Sequence, residues 1–301
     1  MSSEASHGGD GVALRHRGTI LTAGVVLSFG GLILRQIEIA DAWQILFYRS
    51  GFLGFCLMLY LLWREQGRLL ANLAAVGFAG VLGGLCLAVA MSGFVWSITH
   101  TTVANTLFIM AASPFFAAVL GWLLLKERVR ARTWSTMLLA GLGIAAMVGD
   151  GIVIGHVAGQ LAALATTVAI ACFTVILRWR RHVDLLSAAL YASLISGGFA
   201  AVVAGGDLAV PLADAFWCLV YGGPVVLLGL GLYIHGGRFV PAAEVALLSL
   251  SEVALGPLWV WLVIDETPSS LSLLGGGIVL TAVVMQILLG GRPRRLPAPL
   301  D

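Results

Sequence analysis

Residues 240–264 read VPAAEVALLSLSEVALGPLWVWLVI. About 20 apolar residues suffice to cross roughly 30 Å of hydrocarbon, so this stretch is long enough to span a bilayer. It nevertheless carries Glu252 at its middle, Glu244 two turns earlier and Pro257 five residues further on. A charged carboxylate at the bilayer centre costs about 2.5–3.5 kcal/mol on insertion scales, and chains that keep one face it toward a polar cavity or a partner. On a continuous helix the eight-residue spacing puts both glutamates on nearly one face, roughly 12 Å apart along the axis. That face is expected to line a transport pathway.

The rest of the chain has the same character. Of 301 residues, 59% are hydrophobic and only 11% charged, against about 25% charged in a soluble domain. Ten apolar segments can be marked, at 18–34, 42–63, 73–95, 102–125, 133–149, 157–177, 185–204, 214–234, 240–264 and 270–290. The expected fold is therefore an all-α integral membrane protein of ten transmembrane helices. Residues 1–17 and 291–301 read as polar tails flanking two five-helix units, 18–149 and 157–290.

Charge orients this frame. With both termini in the cytoplasm, fifteen of the seventeen basic residues fall inside, in clusters such as Lys126, Arg128, Arg130 and Arg132 or Arg178, Arg180 and Arg181. The outer loops collect acids, among them Glu38, Asp41, Asp207, Asp214 and Asp265. This is the positive-inside pattern, and Arg35 and Arg49 alone break it. Tryptophans near segment ends, Trp43, Trp217, Trp259 and Trp261 outside and Trp63, Trp122, Trp134 and Trp179 inside, read as aromatic belts.

A shift of 139 residues lays Ala104–Glu127 on Ala243–Glu266 and aligns Trp122 with Trp261, Leu123 with Leu262 and Glu127 with Glu266. An odd number of helices per half makes the halves insert in opposite senses, an arrangement that in transporters places the substrate near midplane between them. Under the shift Glu252 pairs with Ser113 and Glu244 with Asn105.

The chain resembles the EamA type of the drug/metabolite transporter superfamily over about residues 17–290. The resemblance is carried by LFYRSGFLG around Arg49, by TTVANTLFIMAASPFFAAVLGWLLLKERV with Pro114 and Glu127, and by PAAEVALLSLSEVALGPLWVWLVIDETPS with Pro257 and Glu266. It implies two inverted five-helix repeats, a central cavity from helices 1–4 and 6–9, and peripheral helices 5 and 10. It also implies secondary transport, often export of amino acids or other small metabolites, with aromatic amino-acid exporters as one branch. The chain departs from the commoner pattern by carrying Glu244 and Glu252 in the ninth helix.

Candidate site residues follow from chemistry. Glu252 can exchange a proton for a cationic substrate group, or serve as a structural partner of Arg49 or of hydroxyl groups. Arg49 can grip a substrate carboxylate with two parallel bonds or pair with a membrane glutamate. Glu244 can belong to an inner gate or reach interfacial water. Ser113, Asn105 and His100 can contact substrate or satisfy helix–helix hydrogen bonds, and Trp96, Tyr48 and Tyr233 can wall a cavity or pack. For Trp96 the belt reading competes as well.

Glu127 and Glu266 are expected to cap helix starts. Gly141–Gly143 and Gly275–Gly277 are expected to allow close packing onto the bundle or a second protomer. The four cysteines lack metal-ligand spacing, and there is no phosphate-binding loop of the ATPase type and no catalytic constellation. The expected role is non-enzymatic and needs no cofactor. Its partners are a small-molecule substrate, the lipid bilayer and protons as coupling ion, with no nucleic acid, in a monomer or homodimer at the inner membrane. Amines or cationic drugs are the alternative substrates, and a passive channel the alternative mechanism.

Overall fold

A computed structural model of the chain describes residues 4–65, 77–148, 157–180, 185–265 and 269–289, and these are helical apart from short turns. Among the described residues nine helices are long and apolar enough to cross a membrane. In chain order the elements are α1 Glu4–Leu34, α2 Ala42–Glu65, α3 Gly77–His100, α4 Val103–Met110, α5 Ser113–Leu125 and α6 Ala131–Val148. They continue with α7 Val157–Trp179, α8 Leu186–Val203, α9 Leu212–Val220, a π-helical turn Tyr221–Val226, α10 Leu227–Gly237, α11 Ala242–Ser249, α12 Ser251–Ile264 and α13 Ser270–Leu289. The nine do not include α6, an 18-residue helix at the place of the fifth expected segment.

Two expected spans are broken in the middle. The fourth divides into α4 and α5 at Ala111–Ala112, where Ala112 bonds back to the Ile109 carbonyl at 3.1 Å and Phe115 to Ala112 at 3.0 Å. Pro114 explains the break, because it has no N–H and its ring clashes with the carbonyl of Met110. The ninth divides into α11 and α12 at Leu250, which bonds back to Leu247 at 3.1 Å while Val253 bonds back to Leu250 at 3.1 Å.

No proline sits at that second break. Instead Ser249 and Ser251 turn their hydroxyls onto the carbonyls of Val245 and Leu248, each at 2.8 Å. Such back-bonding competes with the helical ladder and bends it. Adding 139 to the bounds of α4 gives those of α11, and the same shift takes Lys126 (φ 55°) to Asp265 (φ 59°), the left-handed residues that end α5 and α12.

The helix pairings come in matching sets. α1 packs on α10 and α12, and α7 packs on α3 and α5. α2 meets α8, α5 meets α11, and α6 meets α13. The buried core gathers around α3, α7 and α8 through Leu87, Phe173, Leu177 and Leu190. α6 and α13 stand against each other, with Gly143 facing the Gly275 carbonyl at 2.8 Å from a built Cβ. The expected close packing of these glycines thus holds for Gly143 and Gly275, whereas Gly141 and Gly277 face open space.

Several placements differ from the sequence reading. The polar tail expected over 1–17 is helical from Glu4, and Arg17 is buried within α1. Arg178 and Asp214, expected in polar loops, are each 3% exposed. Trp259, expected in a belt, donates its indole N–H to Ser28 Oγ at 2.8 Å and stacks on Phe29 at 4.7 Å, so it joins α12 to α1. Trp63, Trp122 and Trp179 are exposed as belt residues should be. Glu266 lies outside the described residues.

Candidate functional site

The break at Leu250 puts Glu252 in the first turn of α12, half-buried in the membrane interior. A helix N-terminus favours an acid by about 0.3–1 kcal/mol, because its first N–H groups have no intrahelical partner. Among the described residues no hydrogen bond reaches the Glu252 carboxylate, and no cation lies within 4.0 Å of it. Arg49 of α2 is the cation whose charge reaches Glu252 across that gap.

Arg49 is held from another side. Its Nη1 donates to the Tyr221 hydroxyl at a long 3.4 Å, and its guanidinium carbon lies 5.2 Å from the centre of the Tyr221 ring. Its Nε is buried and finds no acceptor among the described residues. A buried donor without a partner costs about 1–3 kcal/mol, so this arginine has binding capacity left over. Tyr221 is a site residue that sequence reading missed. Its signal was the run Tyr221–Gly222–Gly223–Pro224, since π-turns arise where the ladder is disturbed and collect at functional sites.

Tyr233 of α10 is 8% exposed. Thr174 donates to the Ile170 carbonyl at 2.8 Å, so the Tyr233 hydroxyl donates to Thr174 Oγ1, 2.6 Å away. Phe173 stacks on the same ring at 6.4 Å, and Glu252 lies within electrostatic reach of the phenol. Electrostatics thus link Glu252 to Arg49 and to Tyr233, and a hydrogen bond and ring contact join Arg49 to Tyr221.

Residues 18–149 match the EamA-like transporter family. This first half is EamA-like. The relatives reach further. The pseudopaline exporter CntI of Pseudomonas aeruginosa, found in strains UCBPP-PA14 and PAO1, is 26% identical over 279 residues, which are 88% of this chain and 96% of CntI. A solved crystal structure superposes with a TM-score of 0.77 at 18% identity, covering 94% of this chain and 99% of its own, which speaks for the fold alone. The resemblance to the drug/metabolite transporter superfamily rests on the match over residues 18–149 and on the likeness to CntI, and among the described residues nine helices are long and apolar enough to cross a membrane.

The remaining candidates are engaged elsewhere. Glu244 is 5% exposed and does not reach interfacial water. It accepts Arg17 Nη2 at 2.8 Å and Nε at 3.1 Å, which ties α11 to α1. It also sits on a different half-helix from Glu252, so the two acids do not form the single continuous face expected. Glu127 binds Arg178 Nε at 2.8 Å and accepts the Ala242 N–H at 3.4 Å. It does cap a helix start, but that of α11 rather than of its own successor α6. Asp214 accepts the N–H groups of Glu38, Ile39 and Ala40 at 3.4, 3.0 and 2.8 Å and so pins the α1–α2 turn.

Tyr48 donates to the Leu208 carbonyl at 2.8 Å. Asn105 is buried at the start of α4, where its N–H is capped by Thr102 and its side chain donates to Thr101 at 2.9 Å. Ser113 is buried beside Pro114 at the first break. His100 is exposed and stacks on Trp96 at 4.6 Å, and Trp96 meets Trp43 edge-on at 5.7 Å. None of these partners belongs to the group around Glu252.

A groove of about 380 Å³ between α6 and α13 is lined by Leu139, Leu273, Leu274, Gly277, Ile278 and Thr281 and carries no ionisable group. Among the described residues no three His, Cys, Asp or Glu side chains gather to hold a metal ion.

Proposed function

We propose that the protein is a secondary active transporter that exports a small polar metabolite, amino acids first, across a bacterial inner membrane. The observation that carries this reading is Glu252 at the start of a half-helix within a membrane span, with no cation within 4.0 Å among the described residues and with the charge of Arg49 acting on it from α2. Opposite charges held apart offer a seat to a zwitterion, whose ammonium turns to Glu252 and whose carboxylate turns to Arg49. Glu252 is also the group that takes up and releases the coupling proton.

Units 18–149 and 157–290 act as inverted repeats that rock about this site, with both termini cytoplasmic. The matched breaks of α4–α5 and α11–α12 and the matched helix pairings support the repeat. So does the transporter habit of siting substrate at broken helices near midplane. The name of CntI, an exporter of pseudopaline, supports the outward direction and a metabolite cargo. The unpaired Glu252 also favours amines or cationic drugs as a second reading.

The test is counterflow in proteoliposomes loaded with labelled amino acids, with their decarboxylated amines as a second set. Saturable exchange of labelled for unlabelled amino acid supports a carrier and excludes a continuous pore. Exchange of amines alone would move the cargo to the second reading, and flux that never saturates would point to a channel.

A further inference from the structure

Arg49 poses a physical question of its own. A guanidinium has five N–H donors in a planar fork, yet in this membrane-embedded position one of them is used, by a long bond through Nη1. That bond and the ring contact both come from Tyr221. They occupy one face and one tip of the guanidinium. The opposite side-on edge, formed by Nε and Nη2, meets no acceptor among the described residues, and Nε is buried there. That edge offers two parallel N–H vectors, the geometry that matches the two oxygens of a carboxylate.

The fold takes unusual steps to seat Tyr221 in this way. The residue opens the π-turn, whose next residue must be small. A Cβ on Gly222 would run into the Arg49 carbonyl oxygen and come within 2.8 Å of its carbonyl carbon. On the other side of the ring, a Cβ on Gly30 of α1 would lie 2.8 Å from Tyr221 Cε2 and 3.0 Å from its hydroxyl. The α1 and α2 backbones therefore close on the tyrosine from two directions and fix its ring relative to Arg49.

We propose that Arg49 is a carboxylate-binding site and that Tyr221 is its positioning residue, holding the guanidinium so that its unpartnered Nε–Nη2 edge is kept for one carboxylate of the transported molecule. The assignment rests on the transporter reading above but commits it further. The cargo bears a carboxylate, and its discrimination against the matching amine is set at Arg49 and Tyr221.

The test uses the purified full-length chain in detergent. The unfolding midpoint is measured against rising sodium benzoate or L-phenylalanine, with sodium chloride at equal ionic strength and phenethylamine as controls. For the wild type both carboxylates are expected to raise the midpoint saturably, and phenethylamine to leave it where chloride does. Arg49→Gln is expected to remove the increment. Tyr221→Phe keeps the ring but loses the hydroxyl, and its half-effect concentration is expected to rise about tenfold, the scale of one hydrogen bond. Tyr221→Leu is expected to abolish the increment.

A structural role for Tyr221 would lower the midpoint without ligand and leave the half-effect concentration alone, so the two roles read out separately even if the leucine variant does not fold. No carboxylate increment in the wild type would overturn the proposal, as would an increment that survives Arg49→Gln. An unchanged half-effect concentration in Tyr221→Phe would overturn the positioning role. A carboxylate increment together with absent counterflow would leave this site standing and remove the transport reading instead.

Discussion

Two glutamates eight residues apart in one membrane segment have opposite surroundings. Glu244 is enclosed with Arg17 in a two-bond contact at 2.8 and 3.1 Å. Glu252 reaches no cation within 4.0 Å among the described residues. The arginines divide in the same way, Arg17 spent on a carboxylate and Arg49 left with an open edge. A closed pair fixes a helix in place and offers nothing to a ligand. An open pair is poor structure, because each charge bears its desolvation alone, and it makes sense where a third party completes it during turnover. On the proposed function the segment combines an anchor and a site, and the break at Leu250 separates them.

Substitutions that exchange these roles give the largest effects. Glu244→Gln takes the carboxylate partner from the buried Arg17 and is expected to cost up to about 3–5 kcal/mol of stability, read as a fall in the unfolding midpoint of the detergent-solubilised protein. Arg17→Met combined with Glu244→Leu is expected to recover most of that loss, since a well-packed apolar pair replaces a buried ion pair at little or no cost. If the double variant is as unstable as the single one, the pair is more than an anchor.

Asp214→Ala leaves the N–H groups of Glu38, Ile39 and Ala40 without their acceptor. It is expected to cost about 1–3 kcal/mol, with hydrogen exchange speeding up first in the α1–α2 turn. The smallest effect belongs to His100→Ala, an exposed group at a helix end. Stability should stay within about 0.5 kcal/mol and counterflow should keep its half-saturation. A marked loss of counterflow would return His100 to the site.

The sequence marked the architecture well and the contacts poorly. Membrane segments are legible because hydrocarbon thickness dictates their length. The 139-residue register could be read from a few matches, and it pointed to Ser113–Pro114 and Glu252, where the two spans break. The Arg17–Glu244 pair was not legible, since its partners stand 227 residues apart and meet through helix rotation. Hydropathy does not set that rotation when lipid-facing and core-facing surfaces are both apolar. Tyr221 was passed over for Tyr48 and Tyr233, because the Gly222–Gly223–Pro224 run beside it marks a disturbed helix without telling which ring reaches Arg49.

The most direct measurement is pH-gradient-driven flux of labelled amino acids in proteoliposomes, wild type beside Glu252→Gln, with folding of the variant checked by its unfolding midpoint. The open-charge account expects wild-type flux that follows the gradient, and a variant that stays folded while losing that dependence. A Glu252→Gln protein that transports at the wild-type rate with the same response to pH would contradict it and place Glu252 beside Glu244 as structure.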